Sequence, residues 1–69
     1  MIIILTLTGF QEKLYRVNMA HVILYYDFEE PGALDKTIMK FVDGDTRTFR
    51  EAPEEIDLLL QDEVSKQKK

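Results

Sequence analysis

The sequence predicts an α+β fold, mainly β: a small curved antiparallel sheet or partly open barrel of about five strands with one C-terminal helix. Three observations predict it. Two alternating segments flank Asp43-Gly44, and Asp-Gly between such segments is the strongest short-range hairpin signal, because a type I′ turn needs positive φ at both central residues. Pro53-Glu54-Glu55-Ile56 then opens a helix directly after the hairpin. Upstream, runs rich in β-branched and aromatic residues are punctuated by Gly9, Asn18 and Pro31-Gly32.

The first strand is expected over residues 2–8, Ile-Ile-Ile-Leu-Thr-Leu-Thr. Its first half is apolar on both faces, which suits a central strand or an interface edge. Gly9 ends the run and supplies the positive φ a turn needs. Leu14-Tyr15-Arg16-Val17 reads as a second strand with Tyr15 and Val17 on one face, and Asn18 suits a turn or bulge. His21–Phe28 is the third strand: Val22, Leu24, Tyr26 and Phe28 line one face, Ile23 and Tyr25 the other. Two apolar faces make this strand central, or covered on its second side. Glu29–Ala33 is a loop around Pro31-Gly32.

In the hairpin, Met39 and Phe41 share a face, and Phe49 is the main apolar residue of the return strand. The helix is expected over about 53–65. Pro53 fits the first helical position, and Glu54 and Glu55 complement the positive end of the macrodipole. Ile56, Leu59, Leu60 and Val64 form an amphipathic stripe, and Lys66, Lys68 and Lys69 end in a frayed, solvated tail.

The 69 residues allow one small domain, 1–69, with a modest core. There is no cysteine and a single histidine, so neither disulfides nor a thiolate zinc site staples the fold. The net charge of −4 opposes non-specific nucleic-acid binding. Ile2-Ile3-Ile4-Leu5 is too short for a signal peptide or membrane span, so a cytoplasmic address is expected.

No constellation reaches the standard of a catalytic or cofactor site. Asp43 and Asp45 match the first and third positions of a calcium loop, but position five is Arg47 and position twelve is Glu54. Asp27, Glu29, Glu30 and Asp35 lie around a flexible loop, unlike the rigidly spaced carboxylate pair of a glycosidase. His21 has no nucleophile in a recognisable context, since Ser65 in the helix tail is the only serine. Gly9, Gly32 and Gly44 are isolated and make no phosphate loop. The expectation is therefore no enzyme, no cofactor, no metal and no evident small-molecule substrate.

Two surfaces remain. A single small sheet with one helix covers only one face, so surplus apolar surface on strands one and three either closes a barrel or meets a protein partner or second copy. Ile2, Ile4, Ile23 and Tyr25 are the residues expected there. The alternative is a base-stacking face in which Tyr15, Tyr25, Tyr26, Phe28, Phe41 and Phe49 are interleaved with Arg16, Lys40, Arg47 and Arg50. Core packing accounts for the aromatics more simply, so nucleic acid is the less expected partner.

The layout resembles the FlbD-type (SwrD-like) small flagellar proteins. The resemblance is carried by Met1-Ile2 and Leu7-Thr8-Gly9, by Tyr15, Val17-Asn18, Val22 and Tyr25, by Thr37, Met39, Phe41, Gly44, Phe49 and Glu51, and by Glu54-Glu55-Ile56. Ile23 and Tyr26 replace glutamates of that pattern, and the Pro31–Thr37 loop is longer. The resemblance implies a non-enzymatic accessory role acting through protein contacts, in a flagellar, phage or mobile-element setting. It transfers no functional residues, because the matched positions are turn and core positions. The hairpin and helix also resemble the end of LytTR-type DNA-binding domains, against which the acidic charge counts.

Overall fold

The computed structural model describes residues 2–67. Strands β1 (Ile4–Thr8) and β2 (Leu14–Asn18) form an antiparallel hairpin, while β3 (Val22–Asp27), β4 (Thr37–Phe41) and β5 (Thr46–Phe49) form a second antiparallel sheet in the order β3-β4-β5. Helix α1 (Pro53–Gln67) follows. The fold is α+β and mainly β, built from two small sheets with no closed barrel. The helix runs slightly beyond the expected 53–65, so Lys66 lies in its last turn, bridged to Asp62 and Glu63. Lys68 and Lys69, expected as a frayed tail, lie outside the described residues.

Segment 50–51 joins the two sheets. The Arg50 N–H donates to the Thr8 carbonyl at 2.8 Å. The Glu51 carboxylate accepts from the Thr8 N–H at 2.8 and 3.0 Å and from the Thr8 hydroxyl at 2.9 Å. The Thr37 hydroxyl, fully buried, donates to the Glu51 carbonyl at 2.6 Å. The chain leaving β5 thus satisfies the outer edge of β1 at Thr8. At the far end of the helix, Gln67 Nε2 donates to the Ile2 carbonyl at 3.0 Å.

Among the described residues, six apolar ones form the buried core: Leu5, Leu7, Val17, Met39, Phe49 and Ile56. Tyr15, Val22, Tyr25, Phe41 and Leu60 pack half-buried against it. Met39, Phe41 and Phe49 take the expected sides. On the helix, Ile56 is buried and Leu60 and Val64 are half-buried, but Leu59, expected in the stripe, is exposed.

Three local expectations are corrected. Gly9 does not take a positive φ: its φ is −116°, and positive values fall on Gln11 and Glu12 instead. Its requirement is steric, since a Cβ there would lie 2.5 and 2.7 Å from carbons of the Tyr15 ring. The Asp-Gly turn is not the two-residue I′ type, because only Gly44 has positive φ. The Gly44 N–H bonds the Phe41 carbonyl and the Phe41 N–H bonds Asp45, a three-residue loop in which Gly44 takes the left-handed position. Asp43 Oδ1 accepts from the Asp45 N–H at 2.9 Å, which gives the first aspartate a turn role.

The third correction concerns β3. It is an edge strand, and β4 is the central one. Val22 pairs with Phe41 and Leu24 with Lys40, leaving Ile23 as an extra residue, a β-bulge. The bulge breaks the two-residue alternation, so Val22 and Tyr25 face the core together while Ile23, Leu24 and Tyr26 are exposed.

Candidate functional site

The distinctive surface lies along β3. Antiparallel ladders alternate between residues bonded inward to the neighbour and residues whose main-chain groups point outward. The Phe28 N–H donates to the Lys36 carbonyl, which sets the phase: Tyr26 and Leu24 bond to β4, and Tyr25 and Asp27 direct their N–H and C=O groups off the sheet. No described residue meets those groups. Beside this edge, exposure is 55% at Ile23, 45% at Leu24 and 52% at Tyr26. A groove of about 520 Å³ follows the edge, with Val22–Tyr25 along one side and Ile3, Met19 and Leu60 along the other.

The other strand edges carry a charge or are partly occupied. Edges of natural sheets are commonly blunted by charged side chains or by cover. The outer edge of β2 carries exposed Arg16, and β5 carries exposed Arg47. The outer edge of β1 is closed at Thr8 by segment 50–51 and met at Ile2 by Gln67. β1 (Ile4–Thr8) and the stretch Val22–Tyr26 of β3 are both free of charge, but β1 is engaged at Thr8 whereas β3 has no such cover among the described residues.

The four residues expected at a protein interface are only partly brought together. Ile23 is exposed on the outer side of β3. Tyr25 points the opposite way, half-buried, and its hydroxyl donates to the Asp57 carboxylate on α1. Burial, then the hydrogen bond and charge of Asp57, push the Tyr25 phenol up to about 12. Ile2 and Ile4 are 69% and 44% exposed. They share the outer side of β1, whose inner side is Leu5 and Leu7. Leu24 and Tyr26 were missed as surface residues because sequence alternation assigned them the core face. A bulge leaves no mark in a run such as Val-Ile-Leu-Tyr-Tyr.

The basic set expected for nucleic acid is dispersed. Arg16 and Arg47 line an open cleft of about 560 Å³ between β2 and the β4–β5 hairpin, over Tyr15, Phe41 and Phe49. There the Arg47 guanidinium lies 5.8 Å from the centre of the Tyr15 ring, and Tyr15 meets Phe49 edge-on at 6.2 Å. His21 lines the same cleft, as do Asp43 and Asp45, which offset the local positive charge. Lys40 is on the outer face of β4, opposite Leu24. Arg50 is committed elsewhere, 2.9 Å from Glu12 and 3.8 Å from Asp35.

The acidic loop divides similarly. Asp27, Glu29 and Glu30 are exposed, whereas Asp35 accepts from the Thr48 hydroxyl at 2.5 Å. Among the described residues, no group of three or more His, Asp or Glu side chains is placed to hold a metal ion. No described helix is long and apolar enough to cross a membrane. No protein-family model, curated protein or solved structure matches the chain.

Proposed function

We propose that this chain is a non-catalytic protein-interaction or accessory module that engages a larger protein or another copy of itself through β3. The observation that carries this reading is the uncovered edge: exposed Ile23, Leu24 and Tyr26 beside main-chain groups of Tyr25 and Asp27 that have no partner. Such an edge, with apolar side chains on the accessible face, is a template for strand addition. The resemblance to the FlbD-type proteins supplies the setting of the proposal: a cytoplasmic accessory role in flagellar function, or the same fold in a phage or mobile element.

The test is sedimentation equilibrium together with a pull-down on the full chain, each repeated with Leu24→Lys. The expected result is self-association, or a specific protein partner, lost in the variant. A chain that stays monomeric and retains no partner overturns the reading.

A second reading rests on the cleft, where Arg16 and Arg47 flank an aromatic floor suited to stacking single-stranded bases. It requires a gel shift at low salt that weakens steeply as salt rises. No shift at low salt removes it.

A further inference from the structure

We infer that the partner of β3 is β3 of a second copy, paired antiparallel about a two-fold axis at Tyr26. This deepens the interaction reading above and rests on it. A strand paired with its own copy across a two-fold axis must offer complementary groups from one sequence. β3 does so. With Tyr26 opposite Tyr26 of the second copy, Tyr25 of each chain lies opposite Asp27 of the other. These two residues are the ones whose N–H and C=O groups point off the sheet, so every main-chain group left open in this stretch finds a partner, giving four hydrogen bonds across the axis.

Side chains agree with the same register. On the outer face the two Tyr26 rings sit side by side at the axis, an aromatic cross-strand pair. Leu24 falls opposite Phe28 of the second copy. No like charges are placed directly opposite: Asp27 faces Tyr25, and Val22–Tyr26 carries no charge. Of the remaining outer strands, β2 and β5 carry Arg16 and Arg47, and β1 is occupied at Thr8 by segment 50–51, which disfavours assembly beyond two.

The experiment uses the full chain over a wide concentration range, with mass from sedimentation equilibrium and amide exchange read by NMR. As concentration rises, the mass is expected to move from 8.1 kDa to twice that value. Exchange at the Tyr25 and Asp27 amides is expected to slow roughly tenfold or more, because open-edge amides become hydrogen-bonded. Tyr26→Lys sets two ammonium groups against each other at the axis and is expected to remain monomeric with an unchanged far-UV spectrum.

A wild-type monomer at every concentration overturns the inference, as does a dimer whose Tyr25 and Asp27 amides exchange as fast as in the monomer. A monomer that still binds a different protein through Leu24 overturns this inference while leaving the interaction reading standing. A monomer with no partner removes both.

Discussion

Replacing Glu51 with alanine tests whether segment 50–51 holds the two sheets together. The side chain removed accepts two hydrogen-bond donors of Thr8, the N–H at 2.8 and 3.0 Å and the hydroxyl at 2.9 Å. Hydrogen bonds to a charged group contribute about 1.5–3 kcal/mol each where both partners are desolvated. Both residues here are half-buried, so the lower end applies and the pair contributes about 3 kcal/mol. A chain of this size has a total stability of roughly 3–10 kcal/mol. The loss is therefore a large fraction of the whole, and at about 4–8 °C per kcal/mol it lowers Tm by roughly 10–25 °C. Glu51→Gln keeps one acceptor oxygen and is expected to cost about half as much. Urea unfolding followed by far-UV circular dichroism measures both variants. If Glu51→Ala stays within about 0.5 kcal/mol of the parent, the range of an ordinary surface substitution, the clamp does not couple the sheets and the reasoning fails.

Gly9→Ala is expected to destabilise by about 1–3 kcal/mol through collision with the Tyr15 ring, and Tyr15→Leu in the same chain should recover part of that loss. Gly44→Ala meets no neighbouring atom but must hold φ at 94°, so it costs about 1 kcal/mol of backbone strain that Tyr15→Leu leaves untouched. Ile56→Ala empties a fully buried position and should cost about 2–5 kcal/mol in urea melts, against less than about 0.5 for exposed Leu58→Ala. Tyr25 is expected to titrate near 12 rather than 10.0 in tyrosinate absorbance, with Tyr25→Phe deleting the late step and Asp57→Asn moving it down. Since the folded value is the raised one, its contribution to stability is complete below pH 10.0 and is lost as pH climbs through about 12.

Much of the fold was legible because it is written in local chemistry. Pro53 with Glu54 and Glu55 started the helix where expected, and Pro31-Gly32 made its turn, with Gly32 at a φ of 79° and the Ala33 N–H on the Glu30 carbonyl. What escaped was set by contacts between distant residues. The demand for glycine at position 9 comes from a ring six residues later. The role of Glu51 comes from Thr8, far away in sequence. Loop length at Asp43-Gly44 was ambiguous because Gly in the left-handed position serves both the two-residue and the three-residue turn. The candidate surface was legible as a surplus of apolar residues on strands one and three, but its composition was not, because the bulge at Ile23 exchanges the faces of everything that follows it.

That bulge also bears on the proposed pairing of β3 with a second copy. Bulges commonly blunt sheet edges by twisting them away from a neighbour, and taken alone one at Ile23 argues against pairing. Its position decides the matter. It lies near the start of the strand, between Val22 and Leu24, so the ladder from Leu24 to Phe28 keeps a regular alternation. The distortion acts on the first turn of the strand alone. There it brings Ile23 and Leu24 to the same outer side, so apolar surface is concentrated beside the regular stretch rather than divided between two faces. A guard placed at mid-strand, as Arg16 is in β2, interrupts any incoming chain. In the proposed dimer, a bulge at one end would instead limit the pairing to residues 24–28 and fix its register, which is the requirement of a closed two-fold contact rather than of an open-ended one.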